Sequence, residues 1–286
     1  MIDSGFSKPI RDIIKSRTSI RTFSKAPLPK SLDEKLTELL NEPQQSPFNG
    51  KCGFHTIDIP KLERDEQKKL GTYGFISGAP KFIAVTSEND SNYFREHIGY
   101  VLEKIILHLT DLGIGTCWIA GSFNKENFRA QLGLKDDVLL PIITPVGIPA
   151  KRRRIKEMGI RAMFKADKAQ RQPWSKMFFR GDFSTPLDEK NAGDLKSAFE
   201  MIRLGPSAAN RQPWRILVNS DGTICHFFIE PSNAHFSNFA RFDIGIATCH
   251  FNLSLMEAGI QGAWKIMDQP QERPENYTYI ISWQKT

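Results

Sequence analysis

Three stretches of this chain carry side chains whose types and spacing suit the holding of a ligand. The first is Arg17-Thr18-Ser19-Ile20-Arg21. If it is extended, Arg17, Ser19 and Arg21 share one face, because side chains alternate with a period of two. Two guanidiniums flanking a hydroxyl make a clamp for a phosphate and a polar chain, and a basic surface turn is the other reading. The second is Gly205-Pro206-Ser207-Ala208-Ala209-Asn210-Arg211-Gln212-Pro213-Trp214-Arg215-Ile216. Pro206 and Pro213 stiffen its ends. Ser207, Asn210 and Gln212 offer donors and acceptors, and Trp214 a flat surface with one N–H. Such a loop walls a flat, hydrogen-bonding ligand, or is a Pro-bounded turn closed by local Asn and Ser bonds. The third is Lys151-Arg152-Arg153-Arg154-Ile155-Lys156, which reads as a solvated face, a polyanion contact or a grip on a single phosphate.

Other chemistries have less support. Cys52, Cys117, Cys225 and Cys249 form no CxxC pair and no Cys/His cluster at zinc spacing, so no metal is expected. They read as reduced thiols, with Cys117, inside an apolar stretch, as core. Gly113 and Gly115 close a helical pattern rather than open one, which excludes a dinucleotide fingerprint there.

Composition sets the frame. The 286 residues are 40% hydrophobic and 25% charged, ordinary for a soluble globular chain of one large domain or two. The N-terminal Met1-Ile2-Asp3-Ser4-Gly5 lacks a basic-then-apolar signal, and no run approaches the ~18 apolar residues of a membrane span. A cytoplasmic protein is expected. The net charge of +7 suits nucleic acid, a membrane surface or an anionic small molecule. With no nucleic-acid motif and no aromatic-interleaved basic surface, neither nucleic acid nor membrane is the expected partner.

The elements that must position these stretches follow from periodicity. A short helix from Pro9 buries Ile10, Ile13 and Ile14 and ends near Arg17. Ser31-Leu32-Asp33-Glu34 has the form of a capping box opening the next helix. Strand patterns follow at 54–59 and 81–86. Ile98, Val101, Leu102, Ile105, Ile106, Leu109 and Leu112 define the clearest helix, stopped by Gly113. Asn124 caps a helix that stops at Gly133, and 138–148 is a strand. Residues 161–186 read as a long polar connection. Beyond it come a helix through Leu195 and Ile202, strands at 216–218 and 225–229, a buried helix at 243–258 and a closing strand at 277–283.

The chain resembles itself. An offset of 146 aligns 95–118 with 241–264 without gaps, with eight identities in 24 positions that include Gly99 with Gly245 and Trp118 with Trp264. An offset of 161 pairs Ser46 and Asn49 with Ser207 and Asn210, and one of 159 pairs Ser16 and Arg21 with Ser175 and Arg180. Lys176 and Phe178 then stand opposite Arg17 and Ser19, and Gln45, Lys51, Cys52 and Gly53 opposite Pro206, Gln212, Pro213 and Trp214. The scaffold is duplicated, whereas the ligand-type residues make one complete set. One composite site per chain is expected, lined by both halves, 1–165 and 166–286.

Arg-x-Ser-x-Arg-x-Phe near the N-terminus, Gly-Ile-Gly-Thr-Cys-Trp-Ile-Ala-Gly at 113–121 and Pro-Ser-Ala-Ala-Asn-Arg-Gln-Pro-Trp at 206–214 resemble the FMN-dependent nitroreductase family. Nearly the whole chain resembles its tandem branch, in which one polypeptide mimics the usual homodimer. The resemblance implies an α+β fold, a mixed sheet flanked by helices and duplicated as a pseudo-dimer, with one FMN at the seam. Arg17 would bind the phosphate, with Thr18 beside it, and Ser19 the ribityl chain. Arg21 would face the pyrimidine edge of the ring and favour the reduced anion. Pro206, Ser207, Ala208 and Asn210 would border the ring from the other half, and N–H groups around Ala120 and Gly121 would approach its N5. One or two of Lys151, Arg152 and Arg153 would close on the phosphate. The implied activity is an oxidoreductase that takes hydride from NAD(P)H onto FMN and passes it to an acceptor such as a nitroaromatic or quinone. The flavin carries the chemistry, so no catalytic side chain is named. The alternatives are an FMN sensor or store with little turnover and a polyanion-binding module using 151–156. A monomeric pseudo-dimer, or a homo-oligomer of it, is the expected assembly.

Overall fold

Two long helices, equivalent at the 146-residue offset, form the middle of the molecule: α3 (Phe94–Asp111) and α7 (Ala234–Glu257). They are seen in a computed structural model that describes residues 5–63, 65, 67, 70–88, 92–163, 170–231, 234–267 and 274–286. The helices cross where neither has a side chain. A Cβ on Gly99 would lie 2.2 Å from the Phe242 carbonyl oxygen, and one on Gly245 would lie 2.2 Å from that of Glu96. Positions 96 and 242 are themselves equivalent, so the crossing maps onto itself when the halves are exchanged, as at an isologous twofold interface. Each helix stops at a left-handed glycine, Gly113 (φ 77) and Gly259 (φ 69).

A sheet flanks the helix pair in each half. The first joins β1 (Gly53–Asp58), β2 (Lys81–Glu88), β3 (Gly115–Thr116) and β4 (Val138–Gly147) in the order β1-β2-β4-β3, all antiparallel. The second contains β5 (Phe178–Arg180), β6 (Asp182–Pro186), β7 (Trp214–Val218), β8 (Ile224–Ile229), β9 (Gly262–Lys265) and β10 (Thr278–Lys285), ordered β6-β5-β7-β8-β10-β9. Its β7-β8-β10-β9 part repeats the first sheet's order and antiparallel pairing. The result is an α+β fold in which the second sheet is mixed, β5 and β7 making its parallel pair. The shorter helices are α1 (Ile10–Ser16), α2 (Lys30–Asn41), α4 (Lys125–Leu132), α5 (Ile155–Met163) and α6 (Lys196–Leu204).

Most elements follow from their sequence signals. α1 buries Ile10, Ile13 and Ile14, and α4 is capped by Asn124, whose side chain accepts from Asn127 N–H, and ends at left-handed Gly133. β2 is buried from Lys81 to Ser87. Its one cation, Lys81, is tolerated there because Asp33 and Asp58 meet it at 2.5 and 2.9 Å.

Four readings change. The capping box is not formed: α2 begins at Lys30 behind Pro29, and Ser31 lies inside the first turn. A proline before the helix supplies the entry φ, so the hydroxyl is not needed as a cap. The polar connection at 161–186 contains structure at both ends, the last turn of α5 and the β5–β6 pair; the domain limit at 165 falls outside the described residues. β9 was not anticipated. The 159-residue offset also fails in space. Ser19 bridges Thr116 beside β3, whereas Phe178 pairs with Ile216 of β7, at the opposite edge of the equivalent sheet. Lys176 and Phe178 are therefore not the spatial counterparts of Arg17 and Ser19. A few identities in a short stretch cannot specify which sheet edge a strand joins.

The glycine crossing is testable by urea unfolding. Gly245→Ala forces the helices apart and is expected to cost about 1–3 kcal/mol. Gly159→Ala, in α5 with nothing within 4 Å of the added methyl, should stabilise by about 0.5–1 kcal/mol from helix propensity alone.

Candidate functional site

The segment after α1 leaves the helix at Arg17 (φ −54, ψ 128) and runs extended through Phe23. Backbone bonds hold it from two sides, Ile20 N–H to the Thr116 carbonyl at 2.8 Å and Ser77 N–H to the Arg21 carbonyl at 2.9 Å. Arg17, Thr18, Ser19 and Arg21 all line a cavity of about 580 Å³. Ala120 and Gly121 line it from the segment after β3, and Pro206, Ser207, Ala208 and Asn210 from the second half. Of the basic run, Arg153 reaches the cavity, while Lys151 and Arg152 are exposed and do not.

The cavity is polar at its arginines and apolar elsewhere. Phe239, Phe242 and Ile246 of α7 form one wall, with Phe75, Ile76, Trp118 and Ile142 from the first half. Arg17 is 5% exposed, and its Nε lies 3.7 Å from Glu103 Oε1. Arg161 of α5 donates to Thr18 Oγ1 at 3.2 Å. Arg171 donates to the Asn210 side-chain oxygen and, at 3.1 Å, to the Leu204 carbonyl. Burial first, then the neighbouring Arg17 and Arg203 guanidiniums, pull the Arg171 pKa down to about 10, so it remains a cation at neutral pH. Among the described residues, Arg21 Nη1 and Arg171 Nε are buried without a hydrogen-bond acceptor. Unmatched buried cationic donors from both halves, converging on one space, suit an anionic or acceptor-rich ligand.

The Pro206–Trp214 loop is strained and heavily braced. Ala209 (φ 49), Asn210 (φ 56) and Gln212 (φ 54) are left-handed without being glycine. Ser207 Oγ accepts from Gln212 N–H at 2.9 Å, and Gln212 Oε1 accepts from Gln172 N–H at 2.8 Å. The Asp243 carboxyl accepts from Ala208 N–H at 3.1 and 3.2 Å. Burial raises the Asp243 pKa well above the usual carboxylate range. At the equivalent place in the first half, His97 Nδ1 and Ser46 Oγ are 2.8 Å apart, and burial pushes that imidazole down to about 4. Each half thus ties its loop to the central helix of its own half, with different chemistry.

Two loop residues differ from the sequence reading. Trp214 is wholly buried in the second-half core, where β7 alternation turns it inward, so it is no wall of the cavity. The Gln212 amide is spent inside the loop, its Nε2 donating to the Asn210 carbonyl at 3.0 Å. Cys117 does line the cavity, with its thiol pKa raised by burial. Sequence reasoning missed Arg161, Arg171, Asp243, Glu103 and Phe239. For Glu103 and Asp243 a signal existed, a carboxylate inside a strongly apolar helix; Arg161 and Arg171 sat in a stretch taken for connection.

Residues 9–255 match the model of the family described as "Putative TM nitroreductase". Among solved structures, one described as a putative nitroreductase from Thermotoga maritima aligns over 97% of this chain and 93% of its own, with 20% identity and a TM-score of 0.60; at that identity the likeness concerns the fold. An FMN-dependent nitroreductase from Clostridium difficile aligns over 50% of this chain and 88% of its own (17% identity, TM-score 0.41). A nitroreductase with bound FMN from Bacteroides fragilis aligns over 53% and 94% (17% identity, TM-score 0.39). No curated protein matches.

The buried Asp243 makes a pH prediction. Its folded pKa lies above its unfolded value, so stability is fully present below the unfolded value and is lost as pH rises through the folded one. Asp243→Asn keeps an acceptor for Ala208 N–H and cannot ionise. Thermal melts from about pH 4 to about pH 8 should show the wild type losing stability relative to this variant as pH rises. Parallel curves would mean that Asp243 does not carry the effect.

Proposed function

The chain belongs to the family described as putative TM nitroreductases, and from that premise we propose that it is an FMN-dependent oxidoreductase. In this reading it takes hydride from NAD(P)H and hands it to an electrophilic small molecule such as a nitroaromatic or a quinone. The observation that carries the reading is the convergence of Arg17, Arg21 and Arg171, from both halves, on one largely apolar cavity, with Arg21 Nη1 and Arg171 Nε buried without a hydrogen-bond acceptor. A phosphate joined through a hydroxylated chain to a flat acceptor-rich ring answers that pattern. The volume of about 580 Å³ is in the range of ligand sites. FMN, when bound, supplies the ring that accepts and passes on the hydride.

This chain's residues bind, orient and exclude water. Arg17, Arg171 and Arg161 provide the cationic grip for the phosphate, the last two added to the residues named from sequence. Ser19 serves the ribityl chain. Arg21 provides a fixed positive charge for the pyrimidine edge. Ala120 and Gly121 offer backbone N–H groups, and Pro206, Ser207, Ala208 and Asn210 border the ring from the second half. Arg153, held 3.8 Å from Glu157 Oε1, is the member of the basic run at the site, and Lys151 and Arg152 lie outside the cavity. Phe239 and Phe242 keep the space dry. The halves 1–165 and 166–286 together make one site per chain.

The visible spectrum of the purified protein, with flavin counted per chain, tests the reading. One FMN per chain is expected. A colourless protein that takes up no FMN would sink the proposal, and two per chain would refute the single composite site. Arg17→Ala should weaken FMN binding roughly tenfold or more by fluorescence titration, since a charge-assisted contact is lost. Steady oxidation of NADH or NADPH with a nitro or quinone acceptor is expected of the enzyme; a single stoichiometric reduction without turnover would point to a flavin store.

A further inference from the structure

Glu103 of α3 is wholly buried, and both its oxygens are engaged. Oε2 accepts from Trp118 Nε1 at 2.7 Å. Oε1 lies 2.9 Å from His250 Nε2 and 3.7 Å from Arg17 Nε. His250, on α7 in the other half, is also wholly buried, and its Nδ1 meets the Met201 carbonyl at 2.9 Å. A polar path therefore runs from the second-half core, through His250 and Glu103, to a guanidinium that lines the cavity.

The helix pairing does not itself require this carboxylate. At the 146-residue offset the equivalent of Glu103 is Cys249, which is wholly buried and neutral, its thiol pKa raised by burial. The equivalent of Trp118 is Trp264, whose indole N–H goes to Asn252 Oδ1 at 2.9 Å instead. The pseudo-symmetric position thus packs with a thiol and finds its indole another acceptor. A buried carboxylate is costly unless it is paired and hydrogen-bonded. The carboxylate stands beside Arg17, which lines the cavity. Its contact is with Nε, the stem end of the guanidinium, which leaves the planar fork of Nη1 and Nη2 for an anion.

We propose that Glu103, set in place by Trp118 and by His250 across the seam, is the positioning residue for Arg17, so that the second half of the chain controls how firmly the first grips an anionic group in the cavity. The proposal rests on the reading of this cavity as a site for a phosphate-bearing flavin. It adds a dependence of that grip on two residues, Glu103 and His250, that do not line the cavity.

The test compares FMN with riboflavin, which lacks the phosphate, by fluorescence titration of the full chain stripped of flavin. The readout is the ratio of the two dissociation constants. Wild type should prefer FMN. Glu103→Gln, which keeps the shape and removes the charge, should lower that preference by about tenfold while riboflavin binding changes little. In an Arg17→Ala background the same substitution should change the ratio less than about twofold, because the two residues act as a unit. A merely structural role would weaken both ligands alike and would act equally in both backgrounds. His250→Gln, which leaves Arg17 and Glu103 in the chain, carries the same expectation if Glu103→Gln does not fold. An undiminished FMN preference in these variants, or an additive double mutant, overturns the proposal while leaving the flavin site intact. A wild type that binds both ligands equally, or neither, overturns the site reading itself and this proposal with it.

Discussion

Much of this molecule depends on one close approach, the crossing of α3 and α7 at Gly99 and Gly245. Two backbones this near leave no room for a methyl on either helix. Because each glycine faces the carbonyl of the residue three before the other, the contact is reciprocal and holds the two halves in a near-twofold relation. The first sheet and the β7-β8-β10-β9 part of the second have matching strand order. The cavity lies against the crossing, taking Phe242 and Ile246 from α7 and Trp118 from the segment after α3. A shift in the crossing would move the two lips of the cavity relative to one another. The site's geometry and the fold's central packing are thus one constraint.

On this symmetric frame the electrostatics are asymmetric. The first half places Arg17, Arg21, Arg153 and Arg161 at the cavity, and the second adds Arg171 beside a strained loop. Burying guanidiniums close together is unfavourable: burial first, and then the neighbouring Arg17 and Arg203, lower the Arg171 pKa. Glu103 and Glu157 offset part of that cost, pairing with Arg17 and Arg153. At the matching place beside the other half's helix stands Cys249. Exchange of the halves preserves the crossing of the two long helices and does not preserve the charge.

How far the site was legible in sequence varied with how local its determinants were. The Arg17–Arg21 clamp is a period-two pattern in an extended segment, and the segment is extended. The capping of α4 by Asn124 and the left-handed stops at Gly113 and Gly133 also depend on a few neighbouring residues. The loop at 206–214 was legible as a loop, but the direction of Trp214 was not. Its side chain follows the facing of β7, which depends on the sheet and on the core behind it. Arg161 and Arg171 carry no local mark, since an arginine in a polar stretch reads the same whether it meets solvent or a cavity from a distant part of the chain.

By itself, the sequence determined the duplicated pattern of the two long helices and the two stiff ends of the Pro206–Trp214 loop. These follow from periodicity, backbone chemistry and internal comparison, all of which operate within tens of residues. Only the tertiary structure decided which arginines share a cavity, which sheet edge each N-terminal segment joins, and that Glu103 and His250 meet across the seam at 2.9 Å. The last of these joins positions 147 residues apart. All of them are set by how two helices cross and two sheets twist, geometry that residue types in linear order do not encode one position at a time.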